Sequence, residues 1–425
     1  MDIHVVQPGD TMYRLAQQYG VSMERLIQDN QLPDPSQLVV GQTIVVQYPE
    51  LTHTVRTGDS LYSIAQMHNT TAAQLLRNNP GLQGRDLIYP GQAIVVKYAS
   101  RPRGDLTVNA YAYPYIDRDL LRSTLPYLSQ LTPFTYRFDG DELIPFRDEW
   151  LVNTALQSRV APIFHLSNLN EREQFSPELA HDLLEDEDDQ KELIEEILEV
   201  IDRRGYQGVD VDFEFIHGSD AENYAKFLAR LRRALTSRGL PLIAALAPKT
   251  ASDQPGRLYE GIDYHLIAQS VDFALLMTYD WGHLSGPPMA VAPLPEVRRV
   301  VEYALTEFSP NQLYLGIPNY GYDWTLPYRD GGRAKSLNNV EAVRLAWDRR
   351  AAIRYDEQTQ TPWFRYVDDQ GSEHEVWFED ARSIQAKLNL AFDFGLYGVG
   401  YWNLDRPFPQ NWVVLNAMAN IRSEM

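Results

Sequence analysis

Gly208-Val209-Asp210-Val211-Asp212-Phe213-Glu214 alternates acidic and apolar residues with a period of two. That is the pattern of an extended strand, on which alternate side chains share a face. Asp210, Asp212 and Glu214 therefore lie on one face, and Val209, Val211 and Phe213 on the other. An edge strand with its acids in water is a poor home for this run, because the β-branched and aromatic face needs a packed layer against it. The pattern places the strand in a closed sheet, with acids pointing inward and apolar residues facing helices. Three carboxyls in such an interior are costly unless they are hydrogen-bonded or share protons. Their crowding raises at least one pKa, which makes a carboxyl that keeps its proton near neutral pH.

Outward from this strand, short β-rich runs alternate with amphipathic helical stretches. The strands are expected at Thr107–Tyr111, Phe134–Arg137, Val160–Leu166, 208–214, Leu242–Leu246, Phe273–Thr278, Leu313–Ile317 and Gly398–Trp402. Helical patterns fill the intervals at Gln190–Arg204, Ala221–Arg238, Leu294–Phe308 and Ala381–Phe392. This α/β alternation predicts a (β/α)8 TIM barrel over 104–425, with a doubly wound open sheet as the alternative. Residues 325–379 carry one helical and two strand-like runs and are expected to form a small α+β insertion after the seventh strand. The acids Glu185-Asp186-Glu187-Asp188-Asp189 precede a helix, where they face the positive end of its dipole. In such barrels active sites open at the C-terminal ends of the strands. Glu214 is nearest that end, with Asp212 one pleat deeper and Asp210 deeper still.

The chain has 425 residues, 44% hydrophobic and 23% charged, enough for several packed units. Its net charge is −20; residues 1–98 hold eight acids and six bases, which leaves −18 on the remainder. That balance argues against nucleic acid and against anionic membranes as partners. There are no cysteines, so disulfides, thiol nucleophiles and cysteine metal sites are excluded. No histidine cluster has metal-ligand spacing and no phosphate-binding loop stands in the right context, so neither metal nor cofactor is expected. The opening MDIHVVQPGD lacks a basic region followed by an apolar stretch, so no secretory signal is expected there.

The N-terminal part is an internal repeat. Val6-Gln7-Pro8-Gly9-Asp10-Thr11 recurs as Val55-Arg56-Thr57-Gly58-Asp59-Ser60, Tyr13-Arg14-Leu15-Ala16 as Tyr62-Ser63-Ile64-Ala65, and Asn30 as Asn79. Val40-Gly41-Gln42 returns as Pro90-Gly91-Gln92 ahead of an Ile-Val-Val strand. Each unit, 1–48 and 51–98, reads as strand, helix, helix, strand. Thr11 or Ser60 caps the first helix, Leu15, Ala16 and Tyr19 share one helical face, and the last strand pairs with the first. Ala99-Ser100-Arg101-Pro102-Arg103-Gly104 is a short polar linker that would keep the repeats near the barrel.

These repeats resemble LysM domains, which bind N-acetylglucosamine-containing glycans. The resemblance places the sugar beside Asp10, Thr11, Met12, Asn30 and Leu32, and beside Asp59, Ser60, Leu61, Asn79 and Pro80. The acid strand resembles the Asp-x-x-Asp-x-Asp-x-Glu signature of family-18 glycoside hydrolases. The leading Asp is Gln207 here, at the start of the strand and far from the chemistry. Met277-Thr278-Tyr279-Asp280, the segment from Gly316 to Trp324 and Tyr401-Trp402 resemble further elements of that family.

The resemblance implies a retaining, substrate-assisted mechanism, an exception to two-carboxylate hydrolysis. Glu214 would protonate the glycosidic oxygen while the substrate's own 2-acetamido oxygen attacks C1. Asp212 would orient the acetamido N–H and Tyr279 its oxygen, with Asp210 tuning Asp212. Trp402 would floor the sugar, and Asp280, Met277, Tyr320 and Asn319 would line the substrate site. Paired LysM repeats before such a barrel most resemble the spore-cortex lytic enzymes of endospore-forming bacteria. That resemblance implies an N-acetylglucosaminidase acting on cortex peptidoglycan fragments, associated with the spore and monomeric. A chitinase is the alternative within the family. A non-catalytic coat protein on a dead barrel is the alternative outside it, disfavoured because Glu214, Asp212 and Tyr279 are all present.

Overall fold

A computed structural model describes residues 1–424 of the chain. Eight parallel strands close into a (β/α)8 barrel, each hydrogen-bonded to its neighbours around the ring. In chain order they are Gly104–Ala112, Gln130–Pro133, a third in two pieces (Ala161–Pro162 and Phe164–Ser167), Val209–Asp212, Leu242–Leu246, Phe273–Leu276, Leu313–Pro318 and Gly398–Trp402. Pro162 has no N–H to give to the ladder, and the third strand is split beside it.

The second strand differs from expectation. It is Gln130–Pro133, and the Phe134–Arg137 run instead leads out of the barrel into a hairpin, Arg137–Asp139 with Glu142–Ile144. The short, polar Gln-Leu-Thr-Pro segment carries little β signal of its own. Its place is set by pairing with the first strand, Asn109 opposite Gln130 and Ala112 opposite Pro133. The fourth strand is as expected in face. Val209, Val211 and Phe213 are buried outward, with the Phe213 ring stacked on Phe138, Tyr224 and Phe227. The helix Glu187–Arg204 starts as its acids predict, with the Asp186 carboxylate accepting from the N–H groups of Asp188 and Asp189.

After the seventh strand the chain leaves the barrel for a lobe. It holds a five-stranded antiparallel sheet and the helix Asn339–Asp348, whose Asn338 and Glu341 form a capping box. Its first strand is Tyr320–Leu326, which takes Tyr320, Tyr322 and Trp324 into the lobe's wall above the barrel.

Each repeat folds as read. Asp2–Val5 pairs antiparallel with Thr43–Val46, and Pro49–Thr54 with Ala93–Tyr98, each pair covered by two short helices. Thr11 and Ser60 accept from the backbone at the first helix, and Leu15 and Ile64 are fully buried in two separate small cores. The repeats are not loosely tethered. Gln410 of the last barrel helix donates to Asn30 Oδ1 and to Thr43 O, and Asn416 donates to Asn78 Oδ1. Arg77 donates to Pro126 O, and Ile353 N–H of the lobe donates to Val40 O at 2.9 Å. Between the repeats, Tyr98 OH reaches the buried Asp29, which also pairs with Arg25 at 2.6 Å. Among the described residues no helix is long and apolar enough to cross a membrane.

Candidate active site

The acid strand delivers its carboxyls in a line toward the C-terminal mouth of the barrel. Asp210 is fully buried and accepts from Tyr111 OH at 2.6 Å. Burial pushes its pKa up to about 7, against the lowering pull of that hydrogen bond. Asp212 is 6% exposed. Burial first, then the charges of Glu214 and Asp210, hold it well above the usual carboxylate range. Glu214 lies past the last ladder residue, Asp212, yet keeps the alternation. Burial, helped by the negative charge of Asp280, pushes it up to about 7. Carboxyls so close share fewer protons than they have places for, and at neutral pH at least one is a neutral acid.

Three residues not singled out in the sequence complete the line. His165 on the third strand sits in register with Asp210, and its Nε2 lies 3.9 Å from Asp210 and 3.8 Å from Asp212. Burial pushes it down to about 3, so the ring is neutral. Its Nδ1 lies 2.6 Å from Thr135 Oγ1, whose hydroxyl donates to Tyr136 O. With that donation made, Thr135 oxygen accepts from Nδ1–H, which leaves the Nε2 lone pair facing the two carboxyls. Asn168, also fully buried, grips the Glu214 peptide from both sides: Glu214 N–H donates to Asn168 Oδ1, and Asn168 Nδ2 donates to Glu214 O, each at 2.9 Å. Tyr111 is the third. They come from two other strands, Tyr111 from the first and His165 and Asn168 from the third and its end, and carry no local pattern that marks them. The one signal available was the placing of polar residues, Tyr111, His165 and Asn168, at or just past the ends of strands.

Opposite stands the sixth strand. Tyr279 follows it, and its hydroxyl makes no hydrogen bond to the protein among the described residues. Asp280 is exposed in the cleft and accepts from Tyr320 OH at 2.8 Å and Tyr322 OH at 3.1 Å. Phe215 and Asp280, each next to a candidate reactive residue, have left-handed backbone (φ 59° and 62°). For side-chain-bearing residues this costs of order 1–3 kcal/mol, and such positions cluster at functional sites. Trp402 is half-buried and packs edge-on against Phe134, Tyr111 and Tyr113, and Met277 joins the same apolar group.

Two expectations for this site change. Asn319 is fully buried and cannot line a substrate: its N–H donates to Trp402 O and its amide to Asn403 O, so it clasps the seventh strand to the eighth. Tyr320 is 5% exposed and acts by holding Asp280. In the repeats, the side chains of Asn30 and Asn79 are likewise turned inward. Each donates to two backbone carbonyls and accepts from a backbone N–H, that of Val45 or Val95, and from a side chain, Gln410 or Arg25. Met12, Leu61 and Pro80 are buried in the repeat cores. Asp10, Thr11, Leu32, Asp59 and Ser60 remain at the surface, with Asp10 and Asp59 each bound to a backbone N–H and a histidine. The structure also gathers His181, Glu185 and Asp220, whose ligand atoms lie within 4.8 Å of one another. His181 Nδ1 meets Asp220 at 2.9 Å, which ties the helix Pro177–Glu185 to the loop after Glu214.

Comparison with known proteins agrees with this geometry. Residues 170–406 match glycosyl hydrolases family 18, and residues 4–47 and 53–97 match the LysM domain. The chain is 41% identical to the cortical fragment-lytic enzyme of Bacillus subtilis, over 99% of both chains. The crystal structure of the spore cortex-lytic enzyme SleL of Bacillus cereus superposes with a TM-score of 0.84 at 36% identity, covering 99% of this chain and 98% of that one. That of Bacillus megaterium gives 0.84 at 33%, covering 100% and 99%. With its acid line, its closed barrel and these full-length matches, the chain belongs to glycosyl hydrolases family 18, its catalytic barrel preceded by two LysM domains.

Proposed function

We propose that this glycoside hydrolase is an N-acetylglucosaminidase of spore-cortex peptidoglycan fragments, retaining and substrate-assisted. The observation that carries the reading is a Glu214 carboxyl held near pKa 7 at the barrel mouth, with Asp212 beneath it and a free Tyr279 hydroxyl across from it. A carboxyl with that pKa is protonated in an adequate fraction at neutral pH and can give its proton to the bridging oxygen. The leaving sugar departs as the substrate's acetamido oxygen bonds to C1, forming an oxazolinium ion. Asp212 takes the acetamido N–H and offsets the positive charge; Tyr279 donates to the acetamido oxygen and aligns it. Glu214, now ionised, takes a proton from water, which attacks C1 from the face the leaving group left and regenerates the acetamido group with net retention. Asp210, bound by Tyr111, sets the proton balance of Asp212, and the Trp402 face carries the sugar ring.

Residues 104–425 act as the catalytic unit, and 1–48 and 51–98 as glycan-binding units that retain it on the cortex. The chain works as a monomer at the spore. The names of the relatives above support the substrate. The test is mass spectrometry of purified cortex fragments digested with the parent and with Glu214→Gln. The parent releases products with reducing-end N-acetylglucosamine, and the variant loses most turnover while still binding. Intact hydrolysis by Glu214→Gln, or equal cleavage of sugars lacking the N-acetyl group, would falsify the mechanism. Faster cleavage of chitin oligomers than of cortex fragments would replace the substrate.

A further inference from the structure

Two histidines and two carboxylates converge outside every step of the mechanism. His181 and Glu185 stand four residues apart on the helix Pro177–Glu185 and so lie one above the other on a single face. His217 and Asp220 come from the segment that follows Glu214. His181 Nδ1 lies 2.9 Å from Asp220 Oδ2, and one ligand atom from each of His181, Glu185 and Asp220 lies within 4.8 Å of the other two. The His217 ring stands edge-on to that of His181, centroids 6.0 Å apart, and makes no hydrogen bond among the described residues.

These spacings suit one bound ion. Ligand atoms about 2.0–2.1 Å from a tetrahedral zinc stand about 3.3 Å from one another, and two imidazoles on it have centroids about 5 Å apart. Small side-chain rotations reach both values, and the side chains that must rotate are at the surface: that of His181 is 44% exposed, and His217 and Glu185 are exposed. Asp220 is the fixed member, 1% exposed. It directly precedes the helix Ala221–Thr236 yet makes no cap bond there, where an aspartate ordinarily accepts from the first turn. Its carboxylate is turned to His181 and accepts besides only from the Ser219 hydroxyl among the described residues. A buried carboxylate calls for a positive partner. An ion pair with His181 would need neither Glu185 nor His217.

Imidazole with carboxylate is a donor set for zinc, nickel, cobalt and copper ions; calcium and magnesium take shells of oxygen. We propose that His181, His217, Glu185 and Asp220 form a site for a divalent ion of the zinc class, which clasps the helix Pro177–Glu185 to the segment behind Glu214. Binding replaces the proton that His181 Nδ1 shares with Asp220 Oδ2, and that proton leaves to solvent. The clasp closes a frame already tied to the acid. Ser176 caps the same helix and exchanges two hydrogen bonds with Asn168, the residue that holds the Glu214 peptide. The ion stiffens that frame and takes no part in bond cleavage.

The test uses the full chain, stripped of metal with a chelator and titrated with Co²⁺ as a visible probe. One equivalent should develop the absorption of cobalt held by nitrogen and oxygen donors. Zn²⁺ should bleach it, and calcium or magnesium at about 10 mM should leave it in place. His181→Gln and His217→Gln, both at surface positions, should each weaken cobalt binding more than about tenfold. His265→Gln, which removes an exposed histidine paired with Glu307, should leave it unchanged. Zn²⁺ at about a hundred times its dissociation constant should raise the melting temperature of the parent by about 5 °C, and that of the double variant His181→Gln/His217→Gln far less. No cobalt absorption up to about 1 mM Co²⁺ overturns the site. Equal binding by the parent and the double variant, or displacement of cobalt by calcium, overturns it as well.

Discussion

Replacing Asn168 by alanine would remove three buried hydrogen bonds at once: two to the Glu214 peptide at 2.9 Å and one to Ser176 O at 3.0 Å. At about 1 kcal/mol net for each bond, plus about 1–2 kcal/mol for the orphaned Glu214 N–H, stability falls by roughly 4–5 kcal/mol. The catalytic consequence is separate. Glu214 lies past the strand's ladder, and Asn168 is the partner that both its backbone groups use. A displacement of about 1 Å at such a group costs about a hundredfold in rate. Thus kcat should drop about that far, while KM, set by surfaces that Asn168 does not touch, moves less than about threefold. Asn168→Asp sharpens the point. Its carboxylate still accepts from Glu214 N–H but sets a second negative oxygen against two carbonyls. Protonation restores one donor, so part of the lost kcat returns on acidification. The assay is kcat and KM on cortex fragments between about pH 5 and pH 8, with thermal melting in parallel. A lowered melting temperature with unchanged kcat would refute the argument, because Asn168 would then hold the fold and not the acid.

Other consequences concern protons and docking. Asp210 is raised from 3.8 to about 7 by burial, so the native state holds a proton that the unfolded chain has lost. The resulting stability is fully present below pH 3.8 and disappears as pH rises through about 7. Asp210→Asn keeps an acceptor for Tyr111 and should flatten the pH dependence of the unfolding free energy, measured by urea titration, by about 2–3 kcal/mol between about pH 5 and pH 8; coincident profiles would contradict it. Activity should fade as pH climbs through about 7, where Glu214 loses its proton. Asp280→Asn removes one of the charges that raise Glu214, so the alkaline limb of kcat should move down by about half a pH unit. A limb that moves up, or not at all, rejects that coupling. Gly41 and Gly91 have the same left-handed backbone, φ 88° and 90°, so alanine at either costs about the same locally. Only Gly41→Ala also collides with Ile353 O. It should therefore destabilise the chain more and expose the linker to protease, and equal cleavage of the two variants would disprove the docking.

Much of the architecture was legible along the chain because it rests on short-range rules. A period of two in 208–214 set which acids share a face, and the structure keeps that face from Asp210 through Glu214. Caps follow from local hydrogen bonding, so Thr11, Ser60 and Asp186 are where their types demand. The second barrel strand was misplaced because Gln130–Pro133 has little intrinsic signal and is held by its neighbours. Asn30 and Asn79 read as ligand candidates, since a polar residue at a loop looks the same whether it faces a sugar or its own backbone.

The sequence by itself determined the strand and helix periods, the repeat, the glycine and cap positions, and which carboxyls point the same way. All of these depend on neighbours a few residues apart. Only the tertiary structure decided what meets those carboxyls: Tyr111, His165 and Asn168 arrive from two other strands, through a register fixed by barrel closure. It also decided that Gly41 is pressed against the lobe while Gly91 is open, although the repeat pattern treats them alike. Burial raises a carboxyl's pKa only when the surrounding elements exclude water, and that enclosure is a property of packing between distant segments.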